Sequence, residues 1–229
     1  MSIGFVFYHG FGADASYWNN LAPILTENFP CVFYDAGYYK NPQNPENILT
    51  EHHNTSWIGV GHSMGFMKLL EKHRLGEIKL SGIVGLQSFE NFLGNKFLLR
   101  SVRMNVLHVM INSFKSNPVE TLKGFIATCD PNASSMRNIC DASEIDANLL
   151  LHDLNLLKNK VSIPDDMPHL IVVSDKDPIV DKVLIKDNFS DAKYNVKFWE
   201  CSGHTLGYNS AEDVRKILMD FVNSSGSFK

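Results

Sequence analysis

Residues Thr55-Ser56-Trp57-Ile58-Gly59-Val60-Gly61-His62-Ser63-Met64-Gly65 form an apolar run that stops abruptly at a serine with glycines two positions before and two after it. The run has the composition of a strand buried on both faces. Phe66-Met67-Lys68-Leu69-Leu70-Glu71-Lys72-His73 follows as a helix, so the chain is predicted to turn from strand to helix around Ser63. Side chains at 61 and 65 would meet the neighbouring strand and helix, and glycine at both lets the backbone double back. Such a turn holds the serine in a strained conformation with its Oγ toward solvent. It also aims the N–H groups of the helix start at any negative charge collecting there. The bland alternative is a glycine-rich turn with an incidental serine, and the flanking chain decides between the two.

Outward from that turn, Ile3 to Tyr8 and Cys31 to Tyr34 read as buried strands, and Leu80 to Leu86 as another. Between the first two lie the loop His9-Gly10-Phe11-Gly12-Ala13-Asp14 and a helix from Ser16 to Leu25, capped by Ser16 and made irregular by Pro23. Asp35 to Tyr39 is a loop, and Pro42 and Pro45 open a polar connection with a helical turn or two over 45–52. Strand and helix alternate over the first 86 residues. The class is therefore α/β, with a mainly parallel sheet and helices on both faces. From Phe92 to about Asn159 the apolar spacing is helical only, as in Leu98, Leu99, Val102, Val106, Leu107, Met110 and Ile111. The alternation resumes with strands at Pro168 to Val173 and Tyr194 to Trp199, and helices at Asp181 to Phe189 and Ser210 to Val222. One domain is expected, with a core over 1–91 and 163–229 and a helical cap over about 92–162.

Three strand ends then supply Ser63, Asp177 and His204 in that chain order. A serine hydroxyl is a poor nucleophile at neutral pH unless a histidine takes its proton. A buried carboxylate must in turn orient that imidazole and offset its charge. Asp175 and Asp181 compete for the acid's place, and Asp177 is preferred because Ile179 and Val180 anchor the loop beyond it. His62 reads as a packing and hydrogen-bonding residue beside the turn, and His9 as a residue that fixes its loop rather than one that transfers protons. The backbone N–H groups of Phe11 and Met64 are the candidate donors to an oxyanion. Leu107, Met110, Ile111, Phe114, Leu122 and Phe125, with Met104 and Val109, could enclose an acyl chain or face the core.

The bulk properties exclude other classes. The chain has 229 residues and a formal net charge of −4, with no whole-chain signature of nucleic-acid binding. Cys31, Cys129, Cys140 and Cys201 fall in no metal or disulfide spacing, which predicts reduced thiols and a cytoplasmic location. His52-His53 lacks a third ligand, so no metal is expected. No cofactor is implied, and no segment approaches the ~20 apolar residues of a membrane span.

Together the Gly-His-Ser-Met-Gly turn, His9-Gly10-Phe11-Gly12, Asp177 and His204 resemble the α/β-hydrolase superfamily over nearly the whole chain. A reduced version is implied, since the first strand comes almost at once and the usual loop after the second strand reads Asp35-Ala36-Gly37-Tyr38-Tyr39. Within the superfamily the chain is most similar to the esterases of biotin synthesis that cleave the methyl ester of pimeloyl-carrier protein. That similarity rests on the His9 loop, Val119 to Phe125 and Asp153 to Lys158. It implies an acyl ester substrate presented by an acidic carrier protein, gripped by basic cap residues such as Arg100, Arg103, Lys115 and Lys123. A short-chain esterase or thioesterase, an acyl transferase, cleavage of an activated carbon–carbon bond, and a non-catalytic ligand-binding protein remain open alternatives.

Overall fold

The computed structural model describes residues 2–39, 54–130 and 144–224. The helical turns read over 45–52, the His52-His53 pair, Cys140 and the end of the chain lie outside the described residues.

Strands β1 (Ser2–Tyr8), β2 (Cys31–Tyr34), β3 (Thr55–His62), β4 (Gly82–Leu86), β5 (His169–Lys176) and β6 (Val196–Ser202) form one sheet in the order β2-β1-β3-β4-β5-β6. Every pairing is parallel. Successive side chains of a strand point to opposite faces, and the apolar strands accordingly feed two cores. Phe5, Phe7, Ile58, Val60, Val84 and Val172 pack beneath α1 (Ala22–Thr26) and α8 (Ala211–Ser224). Val6, Tyr8, Val32, Ile83, Ile171 and Val173 face the other way, toward α2 (Met64–Arg74) and α6 (Lys182–Asn188). The connections from β1 to β2 and from β3 to β4 run to opposite sides. Strand order therefore reverses between β1 and β3, where parallel sheets open a crevice at their carboxyl ends.

Among the described residues, three helices lie between β4 and β5: α3 (Phe97–Ser116), α4 (Pro118–Cys129) and α5 (Ala147–Leu156). Asp153 on α5 is buried. It accepts a hydrogen bond from Tyr38 Oη at 2.5 Å and an ion pair from Lys68 on α2, which fastens α5 to the elbow helix. The carboxylate of Asp187 on α6 accepts the backbone N–H groups of Asn95 and Lys96 and so fixes the start of α3.

Several local expectations change. The predicted helix from Ser16 divides into a 3-10 turn (Ala15–Trp18) and α1, and its cap is Asp14, whose carboxylate accepts the Ser16 N–H at 2.9 Å. The last strand runs later than predicted, and a short helix α7 (Leu206–Asn209) precedes α8. The apolar spacing of α3 serves two faces. Leu107, Ile111 and Phe114 are buried, whereas Phe97, Leu98, Val102, Val106 and Val109 stand at 59–83% exposure. Val109 therefore faces solvent and encloses nothing. Among the described residues no helix is long and apolar enough to cross a membrane.

Candidate active site

Ser63 stands between the end of β3 and the first residue of α2 with φ 52° and ψ −122°, a conformation that L residues rarely adopt. The glycines around it explain how the chain tolerates the turn. A Cβ on Gly61 would lie 2.5 Å from the backbone N of Phe66, and one on Gly65 would lie 2.5 Å from the carbonyl oxygen of His9. The helix start thus rests directly on the end of β1, which brings Met64 beside the His9–Gly12 loop.

His204 follows β6 and Asp177 follows β5. The His204 Nδ1–H donates to Asp177 Oδ2 at 2.7 Å, with both side chains almost wholly buried. The other carboxylate oxygen accepts the N–H groups of Ile179 and Val180 at 2.8 and 2.9 Å. Of the competing acids, Asp175 pairs with Lys182, while Asp181 caps α6 and binds Arg103. The remaining imidazole nitrogen, His204 Nε2, is buried without a hydrogen-bond partner, in a crevice it lines with Ser63, Phe11 and Phe125. Met64 opens α2, so its N–H has no helical acceptor.

Solved structures share this arrangement of strands over almost the whole length of the chain. A hydrolase from Oleispira antarctica is 17% identical and superposes with a TM-score of 0.70, covering 98% of this chain and 92% of its own. An esterase from Exiguobacterium antarcticum is 16% identical, with a TM-score of 0.73 over 98% of this chain and 92% of its own. A bromoperoxidase from Bacillus anthracis is 14% identical, with a TM-score of 0.73 over 98% and 93%. The chain has the α/β-hydrolase fold. No protein-family model matches the sequence, and no curated protein does.

One residue beside the Asp177–His204 pair, Gln87, was not legible as functional. Gln87, just past β4 and fully buried at φ 51°, donates from Nε2 to Asp177 Oδ2 (3.0 Å) and to the Gly203 carbonyl (2.6 Å), and accepts the Leu206 N–H on Oε1 (2.8 Å). These partners fix the amide's orientation, because exchanging O and N would oppose donor to donor. His62 packs and hydrogen-bonds as expected: it donates from Nε2 to the His204 carbonyl at 2.9 Å and stacks on Tyr17 at 4.5 Å. Burial, and then the neighbouring His204, hold its imidazole well below the ordinary histidine range, so it stays neutral. His9 accepts the Ala36 N–H and keeps the His9–Gly12 loop beside the Asp35 loop.

The helical segment forms the roof. Phe11 meets Phe125 at 5.4 Å and Phe114 at 6.5 Å, and Leu122 presses so closely on Gly12 that a Cβ there would lie 2.6 Å from it. Leu107 and Ile111 belong to the core beneath, and Met110 packs against it half-buried. Only Phe125 of the six lines the crevice at Ser63, whose volume is about 20 Å³. That is roughly the space one water needs. Among the basic residues, Arg100 and Lys115 are exposed on α3. Lys123 pairs with Glu120 at 3.1 Å, and Arg103 is largely buried against Asp181 and the Ile179 carbonyl. Arg103 therefore braces the Asp177 loop.

Proposed function

We propose that the protein hydrolyses carboxylic esters of short acyl groups through an acyl-serine intermediate. The observation that carries this reading is the Asp177–His204 pair, whose unpartnered Nε2 lies beside the crevice that His204 lines together with the strained Ser63. Ser63 Oγ attacks the ester carbonyl carbon while His204 Nε2 takes its proton. Asp177 holds the imidazole in the Nδ1–H form and offsets the imidazolium charge. The N–H groups of Phe11 and Met64 stabilise the oxyanion. His204 then protonates the departing alcohol, and a water deprotonated by the same nitrogen cleaves the acyl-serine to release the acid and regenerate Ser63. The narrow crevice favours an acetyl-sized group over a long chain.

Labelling tests this reading. A fluorophosphonate probe is expected to form an adduct on the Ser63 peptide, and short p-nitrophenyl esters to be hydrolysed faster than long ones. No adduct on Ser63 in folded protein would favour a non-catalytic binding protein. The finer reading, a pimeloyl-carrier-protein methyl ester in biotin synthesis, draws support from Arg100 and Lys115 on the exposed side of α3. It would require methyl release from the carrier-linked ester to exceed that from free short esters. A cytoplasmic setting belongs to the same proposal and draws on the free thiols Cys31 and Cys129.

Gln87 acts in this scheme as a positioning residue. Gln87→Glu keeps the shape but sets a second carboxylate against Asp177, which favours the imidazolium form of His204. The acid limb of kcat/KM is expected to move up by about one pH unit, with turnover lowered roughly 10-fold or more. A fall in thermal stability with an unmoved limb would make Gln87 merely structural.

A further inference from the structure

Among the described residues eight large apolar side chains are exposed, and five of them stand on α3: Phe97, Leu98, Val102, Val106 and Val109. Apolar side chains scattered singly over a surface need no explanation, whereas a concentration on one element marks a face that something covers. We infer that α3 docks the protein on an anionic lipid bilayer, lying in the plane of the interface with these side chains among the acyl chains. The inference stands apart from the ester-hydrolase reading, because it concerns the side of α3 opposite its buried one.

Helical spacing gathers the stripe. Leu98, Val102 and Val106 are four residues apart and Val109 is three further on, so they share one face. Leu107, Ile111 and Phe114 occupy the opposite, buried face, where Phe114 meets Phe11 at 6.5 Å above the serine crevice. No described helix is long and apolar enough to cross a membrane, so α3 would lie on the bilayer rather than through it.

Charge selects the bilayer. Residues 91–119 contain Lys96, Arg100, Arg103 and Lys115 and no aspartate or glutamate, in a chain whose formal net charge is −4. Arg103 is already held by Asp181. Lys96, Arg100 and Lys115 are exposed and have no ion-pair partner among the described residues. Lys96 precedes the stripe, Arg100 falls within it in sequence, and Lys115 follows it in the last turn of the helix. Anionic headgroups would supply the missing counter-charge at both ends while the acyl chains receive the valines. The carboxylates that touch α3 offer little opposition, since Asp181 is paired and Asp187 is buried on the N–H groups of Asn95 and Lys96. A second copy fits less well. An isologous contact must be self-complementary, and α3 against its own copy would set cations on both sides with no acid between them. An acidic protein would satisfy the cations, yet specific protein interfaces engage about 20–30 residues a side. This face is a single helical row, which hydrocarbon can receive without a matching groove.

Co-sedimentation of the full chain with lipid vesicles tests the assignment. Wild type is expected to bind vesicles of phosphatidylcholine with about 30% phosphatidylglycerol at least about 10-fold more tightly than phosphatidylcholine alone, and less tightly as salt is added. Val102→Gln/Val106→Gln removes apolar surface and keeps the charge, and Arg100→Gln/Lys115→Gln does the reverse. Each is expected to weaken binding about 10-fold or more. All four positions are exposed, so both variants are expected to keep the wild-type melting temperature. Leu75→Gln, at an exposed leucine just past α2, is expected to bind as wild type does. Folded wild type that ignores anionic vesicles, equal binding to neutral and anionic vesicles, or binding unmoved by either double variant would overturn the inference. A dimer that the valine variant dissociates, without vesicle binding, would overturn it in favour of a second copy. Retention of an acidic carrier protein by wild type, again without vesicle binding, would overturn it in favour of a protein partner.

Discussion

On the proposed mechanism, Ser63→Ala is expected to lower turnover of a short ester by roughly 10⁴- to 10⁶-fold, because a nucleophile, its base and the orienting acid act as a unit. The remaining rate would come from the Phe11 and Met64 N–H groups and from substrate positioning, which the substitution leaves in place. The same residue also carries backbone strain. At φ 52° and ψ −122° it occupies a region suited to glycine, and such conformations cost about 1–3 kcal/mol. Ser63→Gly is therefore expected to be as inactive as Ser63→Ala and more stable than it by about 1 kcal/mol, measured by urea denaturation. Equal stability of the two variants would mean that the turn stores no strain. Turnover within 10-fold of wild type in Ser63→Ala would remove the serine from the chemistry.

Gly65→Ala is expected to have the largest effect on folding. Its Cβ would overlap the carbonyl oxygens of Tyr8 and His9 at the end of β1. Both obstacles are backbone in the middle of the sheet, so neither can rotate away as a side-chain tip could. Relieving the clash means lifting α2 off β1, which breaks the approach of Met64 to the Phe11 loop and opens the apolar contacts of Phe66, Leu69 and Leu70. A loss of about 3 kcal/mol or more is expected, at the upper end for one substitution. Gly124→Ala is the control. It sits in α4 with nothing within 4 Å of the added methyl, and is expected to stabilise the protein by about 0.5–1 kcal/mol through helix propensity alone. Similar melting temperatures for the two variants would show that the close packing of α2 on β1 does not decide stability.

These contrasts also show what the sequence could and could not reveal. The β3–Ser63–α2 turn was legible because a strand's apolar run, two glycines and a helical period meet within a few residues. Asp177 and His204 were legible because each follows a strand, and parallel topology brings strand ends to one edge. Gln87 left no such trace. Its partners are 90 and 116 positions away, and a glutamine after a strand becomes a bracket for the acid only through the positive φ that turns its amide inward. Val109 on α3 was misjudged for a related reason. Periodicity reports that a helix forms and which residues share a face, but not which face another element covers. The helix read from Leu98, Val102 and Val106 is there, and Val109 stands with them in solvent. The size of the crevice beside Ser63 was equally hidden, since it depends on Leu122 meeting Gly12 across more than a hundred residues.

The backbone N–H of His204 donates to the carbonyl oxygen of Cys129 at 2.7 Å, at the last residue of α4. A Cβ on Gly203 would lie only 2.8 Å from the same oxygen. The helix that contributes Phe125 to the roof is thereby riveted to the residue proposed to move the protons. Any drift of that helix carries the imidazole with it, so on the proposed mechanism a pocket remodelled by shifting α4 would alter reactivity together with selectivity. In this scaffold, new specificity is better sought by changing side chains along α4 than by replacing the helix, because its last carbonyl holds His204 in place.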